Sequence, residues 1–411
     1  MKDEAREDWI RKKLETYLKD LAQFSQEEGK MTRLPFTQAA MDARDYLYDV
    51  MQEIGLTAVK EENGAVRGIL PGQRKQSIVI ASHFDTVVDG GQYDGCLGVA
   101  CGLVYAQMLI QEKITPGDTI EILATNDEEG VRFHTGYFTI KSMLGEVDAE
   151  YLHCHKDKDG ISIWEAMKAC GLSPEKIDSC RRDVSEIRHF MEIHIEQGPV
   201  LERSHKEIGI VDSIVGIRRY DGIVNGRADH AGTTPMNMRK DAVMKAARIL
   251  LALKVRCEQY PGMVLTSGYL EVEPNAVNIV PEKVMFSLDI RSVKEEYLEE
   301  MDRYVRELAE SDEEIHFRET LHQEPVIMNG PMCIQLEKAA EEAGYSFQHL
   351  YSGAGHDSLE AAAVWPTNMI FVPSRGGRSH CPEEYTDLKY AVKAVLLLKA
   401  AVQQIKETNH R

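Results

Sequence analysis

The chain alternates between segments with helical spacing of apolar residues and segments with the spacing of strands. Residues 4–24 and 37–54 repeat apolar side chains every three or four positions, which predicts two helices. TAVKEE and GAVRGIL flank Asn63-Gly64, a pair typical of hairpin turns, and predict two short antiparallel strands. SIVIASHFD is apolar almost throughout, which favours a strand buried on both faces, and GVACGLVYAQMLI predicts a helix packed on it.

Two further strands, DTIEILATNDEEG and RHFMEIHIEQG, follow and lead into charged residues. Strands that alternate with helices are typical of an α/β sheet with helices on both faces. We therefore expect a mixed, mostly parallel sheet flanked by helices. The same pattern resumes after residue 326 with PMCIQLEKAAEEAG, MIFVPS and a final helix from Leu388 onward.

The pattern changes near residue 213. IVGIRRYDGIVNGRAD, MVLTSGYLEVE, KVMFSLDIRS and IHFRE predict strands, whereas DAVMKAARILLALKVRCEQ and EEYLEEMDRYVRELAE predict amphipathic helices. This content is typical of an α+β sandwich of the split βαβ type. The simplest organisation is an α/β domain of residues 1–213 and 326–411, interrupted by an inserted α+β domain at residues 214–325.

Composition narrows the classes of partner. Of the 411 residues, 48 are Lys or Arg and 67 are Asp or Glu, so the formal net charge is −19. That charge argues against nucleic-acid and anionic-membrane partners. The eight cysteines contain no C-x-x-C pair, and MKDEAREDWIRKK has no apolar signal core, which together favour the cytoplasm. AVKAVLLLKAAV is short and contains lysines, so we expect a packed helix there and not a membrane span.

Histidines and carboxylates follow the predicted strands. In open α/β sheets, ligands bind beyond the carboxyl ends of the strands, so we expect these side chains to converge. Each has an ordinary alternative when taken singly: a surface His-x-Asp, a solvated acidic pair or a core histidine. Their shared position favours one functional site. The residues are His83, Asp85, Asp94, Glu128, Glu129, His194, Glu196 and His380.

Histidine together with carboxylate is a ligand set for zinc and related divalent metals. Three histidines and two carboxylates exceed the needs of one tetrahedral ion, and two ions sharing one carboxylate would use them all. The turn Asp89-Gly90-Gly91 would return Asp94 to the strand end that carries His83. The sequence therefore predicts a centre with two metal ions.

Two positions are suited to assist such ions. Asp85 follows His83 by two residues and is placed to accept the ring N–H of a metal-bound histidine. Glu128 and Glu129 are adjacent and cannot have the same function on a strand. One can bind metal, while the other faces the attacking water as a general base.

The ordered motifs resemble the dinuclear-zinc peptidase and amidohydrolase superfamily, which includes aminoacylases and carboxypeptidase-G-type enzymes. Within it, the chain is similar to the amidase/hydantoinase/carbamoylase branch of N-carbamoyl-L-amino-acid hydrolases, allantoate amidohydrolases and β-ureidopropionases. HIEQGPVLE and HAGTTPM are specific to this branch. The motifs run from residue 31 to about 390 and are MTRLPFT, ASHFDTVVDGGQYDGCLGV, NDEEGVRF, HIEQGPVLE, IVGIRRY, ADHAGTTPM, PNAVNIVP, DIRS, SGAGHD and SRGGRSHCPEE.

The resemblance implies a zinc-exopeptidase-like catalytic domain with an inserted domain that acts as a lid and forms a homodimer. It implies two divalent ions per subunit, with zinc as the first expectation and manganese, cobalt or nickel as alternatives. For the metal centre the resemblance implies His83 and His194 for one ion, Glu129 and His380 for the other, Asp94 as the bridge and Glu128 as the general base. For the substrate it implies Gln197 at the ureido group, His230 at the oxyanion, Asn278 as a further contact, and Arg291 with the Gly355 amide at a substrate carboxylate.

Two segments depart from the pattern of the branch. Thr139-Ile140-Lys141 stands where relatives usually have a Gly-Ser step before a basic residue, and Thr125-Asn126-Asp127 is more polar than usual. We expect hydrolysis of the C–N bond of N-carbamoyl-L-amino acids, with allantoate or β-ureidopropionate as alternative substrates. An aminoacylase or dipeptidase, and a metal-binding protein without catalysis, remain as further alternatives.

Overall fold

The computed structural model describes residues 3–404. From residue 3 to residue 214 the elements are α1 (Asp3–Leu21), α2 (Gln38–Glu53), β1 (Thr57–Lys60), β2 (Val66–Leu70), β3 (Arg74–His83), α3 (Cys96–Gln111), β4 (Asp118–Thr125), α4 (Phe138–Leu144), α5 (Ala149–Cys154), α6 (Ile163–Ala169), β5 (Ile187–Ile195), α7 (Val200–Arg203) and β6 (Ile208–Ile214). From residue 216 to residue 323 they are β7 (Gly216–Asn225), β8 (Asp229–His230), α8 (Ala242–Cys257), β9 (Val264–Thr266), β10 (Leu270–Glu273), β11 (Ile279–Val280), β12 (Lys283–Ser292), α9 (Glu295–Ser311) and β13 (Ile315–Gln323). The remaining ones are β14 (Val326–Ile327), α10 (Gly330–Glu342), β15 (Phe347–Ser352), α11 (Asp357–Ala362), β16 (Thr367–Val372) and α12 (Leu388–Gln404).

The chain divides into two compact units. The first contains the described residues up to Asp212, Met328–Leu350, and the described residues from Ala354 onward. The second contains Ser213–Ile327 and Tyr351–Gly353. The short segment 351–353 belongs to the second unit although it lies far from it in sequence, and no local pattern indicated this.

The larger sheet is mixed and has nine strands in the order β1-β2-β4-β3-β5-β16-β6-β14, with β15 also paired to β6. All of it lies in the first unit except β14 and the last two residues of β6 and of β15. The four neighbouring strands β4, β3, β5 and β16 are parallel to one another. The predicted α/β class is confirmed. Because these four strands are parallel, the segments that follow each of them start at one edge of the sheet.

From Ser77 onward, strand β3 is buried on both faces, as its continuous apolar run predicts. A Cβ on Gly102 of α3 would lie near Ile80, whereas Val79 belongs to a cluster on the other face that includes Phe190 and Trp365. Helix α3 is buried along nearly its whole length. The predicted hairpin is also present, since β1 and β2 pair antiparallel around the Asn63-Gly64 turn.

The second unit has an antiparallel sheet in the order β10-β12-β7-β13, with β9 also paired to β12. Strand β12 alternates buried and partly buried residues along its whole length, so one face is covered and the other is open. The covered face forms a core with α8 and α9 that includes Leu253, Phe286, Leu288 and Met301. The segment MVLTSGYLEVE, which we predicted as one strand, is two strands, β9 and β10. The chain leaves the sheet at Ser267-Gly268 between them.

Several elements have no counterpart among the predicted ones. These are the short helices α4, α5, α6, α7 and α11 and the strands β6, β11, β14 and β15. The stretch AVKAVLLLKAAV lies in α12, where Ala391, Val395 and Leu398 are buried. Among residues 3–404 no helix combines the length and hydropathy that crossing a membrane requires.

Acid should destabilise the fold through one buried imidazole in β5. Burial lowers the pKa of His189 from 6.5 to about 4, although its Nε2 lies 3.0 Å from Asn368 Oδ1. Between these pH values the unfolded chain binds a proton that the folded chain does not, so the free energy of unfolding falls as the pH drops. His189→Gln removes this contribution, which amounts to about 2 kcal/mol between pH 7.5 and 5.

Thermal unfolding of the wild type and His189→Gln at pH 7.5, 6 and 5 measures the effect. We expect the difference between the two proteins to shift in favour of the variant as the pH falls. His316→Gln, at an exposed position of β13, is the matched control and should follow the wild type. The same pH dependence in all three proteins would contradict the assignment to His189.

Candidate metal centre

Two imidazole rings face each other at the ends of neighbouring parallel strands. His83 is the last residue of β3, and His194 lies one residue before the end of β5. Their Nε2 atoms are 3.3 Å apart, and both side chains are buried. The pairing of β3 with β5 therefore brings together two predicted ligands that are 111 positions apart in sequence.

Hydrogen bonds fix the tautomer of both rings. His83 Nδ1 lies 3.0 Å from the main-chain oxygen of Asp85, and His194 Nδ1 lies 2.9 Å from that of Ile195. A carbonyl oxygen only accepts, so each Nδ1 donates and each Nε2 is left with a lone pair. The Gly95 amide donates to His194 Nε2 at 3.2 Å, which agrees with this assignment. The two lone pairs point into the same small space.

The Asp94 carboxylate is shared between these rings and His380. Asp94 Oδ1 is 3.1 Å from His194 Nε2 and 3.7 Å from His83 Nε2, while Oδ2 is 3.1 Å from His380 Nε2. Gly95, the next residue, has a φ of +64°, and a Cβ there would lie 2.4 Å from the His83 ring. A glycine at this position is therefore required for the loop to bring Asp94 against the rings.

The donor atoms form two groups that share Asp94. One is His83, Asp94 and His194, and the other is Asp94, Glu129 and His380; within each group the donor atoms lie within 4.8 Å of one another. Asp94 Oδ1 and Glu129 Oε1 are buried and make no hydrogen bond to any described residue. Imidazole lone pairs and carboxylate oxygens that accept no hydrogen bond from the described residues therefore converge, and such an arrangement suits a divalent cation. A mixture of imidazole and carboxylate ligands is typical of zinc.

Asp85 differs from its predicted role. Its carboxylate lies 3.8 Å from His83 Nδ1, and the ring N–H donates its hydrogen bond to the main-chain oxygen of Asp85 instead. The strand ends at His83, so Asp85 does not continue its alternation. The Asp85 carboxylate instead accepts hydrogen bonds from the amides of Glu128 and Glu129 at 3.2 and 3.3 Å. Asp85 thus orients the acidic pair directly, and His83 only through its main chain.

The acidic pair lies in a buried and negatively charged environment. Burial, reinforced by the charges of Glu129, Asp357 and Asp85, raises the pKa of Glu128 well above its ordinary value, although His83 opposes this. Burial and the charge of Asp94 raise the pKa of Glu129 to about 7. Burial would also raise the pKa of Asp94, but the three imidazole rings beside its carboxylate hold it well below the usual value. Glu128 Oε2 lies 3.8 Å from His83 Nε2, beside both donor groups.

Gln197 lies on the same centre. Its backbone has a φ of +57°, and its side-chain amide donates to Asp94 Oδ2 at 3.0 Å. The side-chain oxygen of Gln197, Oε1, is buried and makes no hydrogen bond to the described residues. Glu196, also singled out from the sequence, points elsewhere, because it accepts hydrogen bonds from the amides of Val200 and Leu201 at the start of α7.

Three predicted substrate residues belong to the second unit. His230 and Asn278 are brought together, because His230 pairs with Ile279 across β8 and β11. The amides of Gly232 and Thr233 donate to His230 Nδ1 at 3.0 and 3.2 Å, so its ring proton is on Nε2.

The other two predicted substrate residues are Arg291 and Gly355. Arg291 lies near the end of β12 and is paired with Asp289. Gly355 belongs to the first unit, where a Cβ would lie 1.8 Å from the Tyr137 hydroxyl oxygen. A side chain at position 355 would therefore collide with Tyr137.

The sequence reasoning missed the residues that support the ligands. Glu384 is buried, and its Oε1 accepts the amides of Tyr93 and Asp94 at 2.9 Å, while Ser379 Oγ donates to its Oε2. The only signal was its place in SRGGRSHCPEE. Behind His194 lies His356, with the two ring centroids 4.5 Å apart, and Glu192 completes a further buried group with them. His356 follows Gly355 in SGAGHD, a motif from which we had taken only the glycine.

Comparison with known proteins is consistent with this centre. Residues 79–404 match peptidase family M20/M25/M40. The chain is 37% identical to an N-carbamoyl-L-amino-acid amidohydrolase of Paenarthrobacter aurescens over 95% of this chain and 98% of that protein. It is 35% identical to an allantoate amidohydrolase of Bacillus subtilis, with the same coverage. A crystal structure of an amidase of the hydantoinase/carbamoylase family from Burkholderia multivorans superposes with a TM-score of 0.88 at 30% identity and covers 96% of this chain and 97% of that one.

Removing Glu384 should weaken the binding of divalent metal. Glu384→Ala takes away the acceptor that holds the amides next to the shared carboxylate, so we expect the affinity for zinc to fall roughly 10- to 100-fold. Competition with a chromogenic chelator measures it. Glu383→Ala is the matched control, because that side chain is 61% exposed and pairs with Arg378. Equal zinc affinity in Glu384→Ala and the wild type would contradict the role given to Glu384.

Proposed function

The chain belongs to peptidase family M20/M25/M40, and from this we propose that it is a metal-dependent hydrolase of the C–N bond of N-carbamoyl (ureido) compounds. The observation that carries the proposal is the pair of donor groups sharing Asp94, with the buried carboxylate of Glu128 3.8 Å from His83. A metal-storage or scaffold role would not require an additional buried carboxylate beside the ligands.

Two divalent ions per subunit would be held by the two donor groups that share Asp94, with zinc as the first expectation and manganese, cobalt or nickel as alternatives. His83 and His194 would hold one, Glu129 and His380 the other, and Asp94 both. When bound, such ions polarise a water molecule and a carbonyl oxygen. The main-chain oxygens of Asp85 and Ile195 keep the Nε2 lone pairs of the two buried rings available.

Glu128 would transfer the proton. Its Oε2 accepts a proton from the attacking water and passes it to the nitrogen that leaves. Burial, reinforced by the charges of Glu129, Asp357 and Asp85, raises the pKa of Glu128. Asp85 would hold the main chain of Glu128 in place through the amide hydrogen bond. The products would be ammonia, carbon dioxide and the amine that carried the ureido group.

Five residues would recognise the substrate. Gln197 would contact the ureido group through its amide. His230 would donate from Nε2 to the developing oxyanion, a role supported by the two main-chain amides that occupy Nδ1. Asn278 and the Gly355 amide would complete the contacts, and Arg291 would pair with a substrate carboxylate by bidentate geometry.

We infer N-carbamoyl-L-amino acids as the substrate class, because a relative of that name is 37% identical over nearly the whole chain. Allantoate is the next candidate, since an allantoate amidohydrolase is 35% identical with equal coverage. β-Ureidopropionate is a further alternative. An aminoacylase or dipeptidase activity is less favoured, because HIEQGPVLE is a motif of the ureido-hydrolysing branch.

We also infer a homodimer formed through the second unit, in which some substrate residues reach the site of the partner. In its support, Leu251 and Val255 of α8 are 63% and 57% exposed and lie four residues apart on one helix. Light scattering of the intact chain tests this. The eight cysteines, all free, support a cytoplasmic location.

Ammonia release from the zinc-loaded protein tests the reaction on the ureido compounds, and the appearance of free methionine tests cleavage of the acetyl compound. The panel is N-carbamoyl-L-methionine, N-carbamoyl-β-alanine, allantoate and N-acetyl-L-methionine, with a chelated sample as control. We expect ammonia from one ureido compound, loss of the activity on chelation and recovery on adding zinc back. Cleavage of the acetyl compound alone would move the protein to the aminoacylases and contradict the role of Gln197.

Replacing Glu128 separates catalysis from metal binding. In Glu128→Gln we expect kcat to fall by roughly 10²- to 10⁴-fold while bound metal, measured by plasma mass spectrometry, is retained. Glu128→Asp keeps the carboxylate but withdraws it by one methylene and should give an intermediate kcat. Full turnover by Glu128→Gln would show that another group is the base.

A further inference from the structure

Three charged side chains form a cluster on the open face of the sheet of the second unit. Arg219 of β7 lies directly opposite Asp289 of β12. Arg291 follows Asp289 by two residues, so its side chain projects from the same face. Thr266 of β9 lies opposite Asp289 on the other side. The cluster is therefore fixed by the register of three neighbouring strands.

Both guanidinium groups bind the one carboxylate. Arg291 donates from Nε to Asp289 Oδ1 at 2.7 Å and from Nη2 to Oδ2 at 3.2 Å. Arg219 donates from Nη2 and Nε to Oδ2 at 2.7 and 3.2 Å. The main-chain oxygen of Gly353 accepts from Arg291 Nη1 at 2.7 Å. Three of the nitrogen atoms of Arg291 are held, so its orientation is fixed before any ligand binds.

The cluster has one positive charge in excess. Hydrogen bonds from Arg291 and Arg219 lower the pKa of Asp289, although its burial acts in the opposite direction, so the carboxylate is ionised at neutral pH. Of the acids that the structure describes, Asp289 alone lies within 4.0 Å of either guanidinium. Two cations then face one anion. The cluster borders an open cleft of about 390 Å³ that Thr266 and Ser287 also line.

We propose that Arg219, Asp289 and Arg291 form one carboxylate subsite that selects a ureido substrate with a single negative charge at this position. Arg291 contacts the substrate, and Asp289 is a positioning residue that holds its guanidinium edge. Arg219 offsets the charge of Asp289. Without Arg219, the remaining pair is neutral and loses its preference for an anion over an uncharged amide. The identity of the ligand rests on the proposed function, whereas the excess positive charge of the three side chains does not.

A second ion pair on the same face provides a matched comparison. Arg318 of β13 lies opposite Asp221 of β7 and pairs with it. It is one cation with one anion, and the two side chains are 79% and 46% exposed, against 45% and 21% for Arg219 and Asp289. An exposed, balanced pair of this kind contributes little to binding an anion.

Equilibrium binding tests the subsite. The probes are N-carbamoyl-L-methionine and its uncharged carboxamide, titrated by calorimetry into the zinc-loaded full chain. Glu128→Gln is the parent, so that neither probe is consumed. In this parent we compare Arg219→Gln, Arg219→Lys and Arg318→Gln, and thermal unfolding of each verifies that it is folded.

We expect the parent to bind the acid more tightly than the amide. Arg219→Gln should raise the Kd of the acid about tenfold and leave that of the amide within about twofold. Arg219→Lys keeps the charge and should recover most of the preference, while Arg318→Gln should match the parent. Equal effects of Arg219→Gln and Arg318→Gln, an unchanged acid-to-amide ratio, or no binding of the acid by the parent would each overturn the proposal.

Kinetics separate this proposal from the proposed function. With Glu128 restored, Arg219→Gln should raise KM for the acid about tenfold, with kcat changed by less than about threefold, because the substrate carboxylate has the same charge in the ground state and in the transition state. Selective binding of the acid without turnover of any ureido compound would leave the subsite standing and refute the reaction. Turnover with an acid-to-amide ratio unaffected by Arg219→Gln would leave the reaction standing and refute the subsite.

Discussion

A single buried carboxylate, that of Asp94, lies among three imidazole rings, and the arrangement of the first unit depends on keeping it there. A charged group removed from water must be paired or hydrogen-bonded, or it destabilises the fold by several kcal/mol. The histidines contact both oxygens of Asp94, and Glu384 holds its amide from the other side. Two strand ends and the segment after β16 are thereby tied to one point. The segment that carries Asp94 is therefore important for the stability of the fold as well as for the proposed metal centre.

The same centre concentrates negative charge. Asp85, Glu128 and Asp357 are buried near one another, and burial raises the pKa of all three. Such a group of acids destabilises the metal-free protein. It favours the binding of a doubly charged cation, because the cation offsets the charges of several carboxylates at once. It also gives Glu128 a higher proton affinity than an exposed glutamate has. One arrangement thus accounts for both the expected affinity for metal and the expected base.

Local patterns predicted the longer helices and most of the long strands and singled out the histidines and carboxylates after the strands, because periodicity and the position of charge are visible within short segments. The choice of Glu129 as a ligand and Glu128 as the base came from the family resemblance. Contacts across the chain were not predictable in this way. Glu384 lies 290 positions from Asp94. Asp85 does not accept the ring N–H of His83 because β3 ends at His83, two residues before Asp85, and no local signal marks that boundary. The sharing of Asp289 by two arginines depends on cross-strand register, which a single sequence does not reveal.

The two connections to the inserted residues lie side by side. Ile214 at the end of β6 pairs antiparallel with Val326 of β14. The residues between Ile214 and Val326 therefore connect two neighbouring antiparallel strands, as the turn of a β-hairpin does. Residues can be added, lost or exchanged within such a turn without breaking the continuity of the main sheet. The inserted residues can therefore change in length and sequence while the two strands that precede and follow them stay paired.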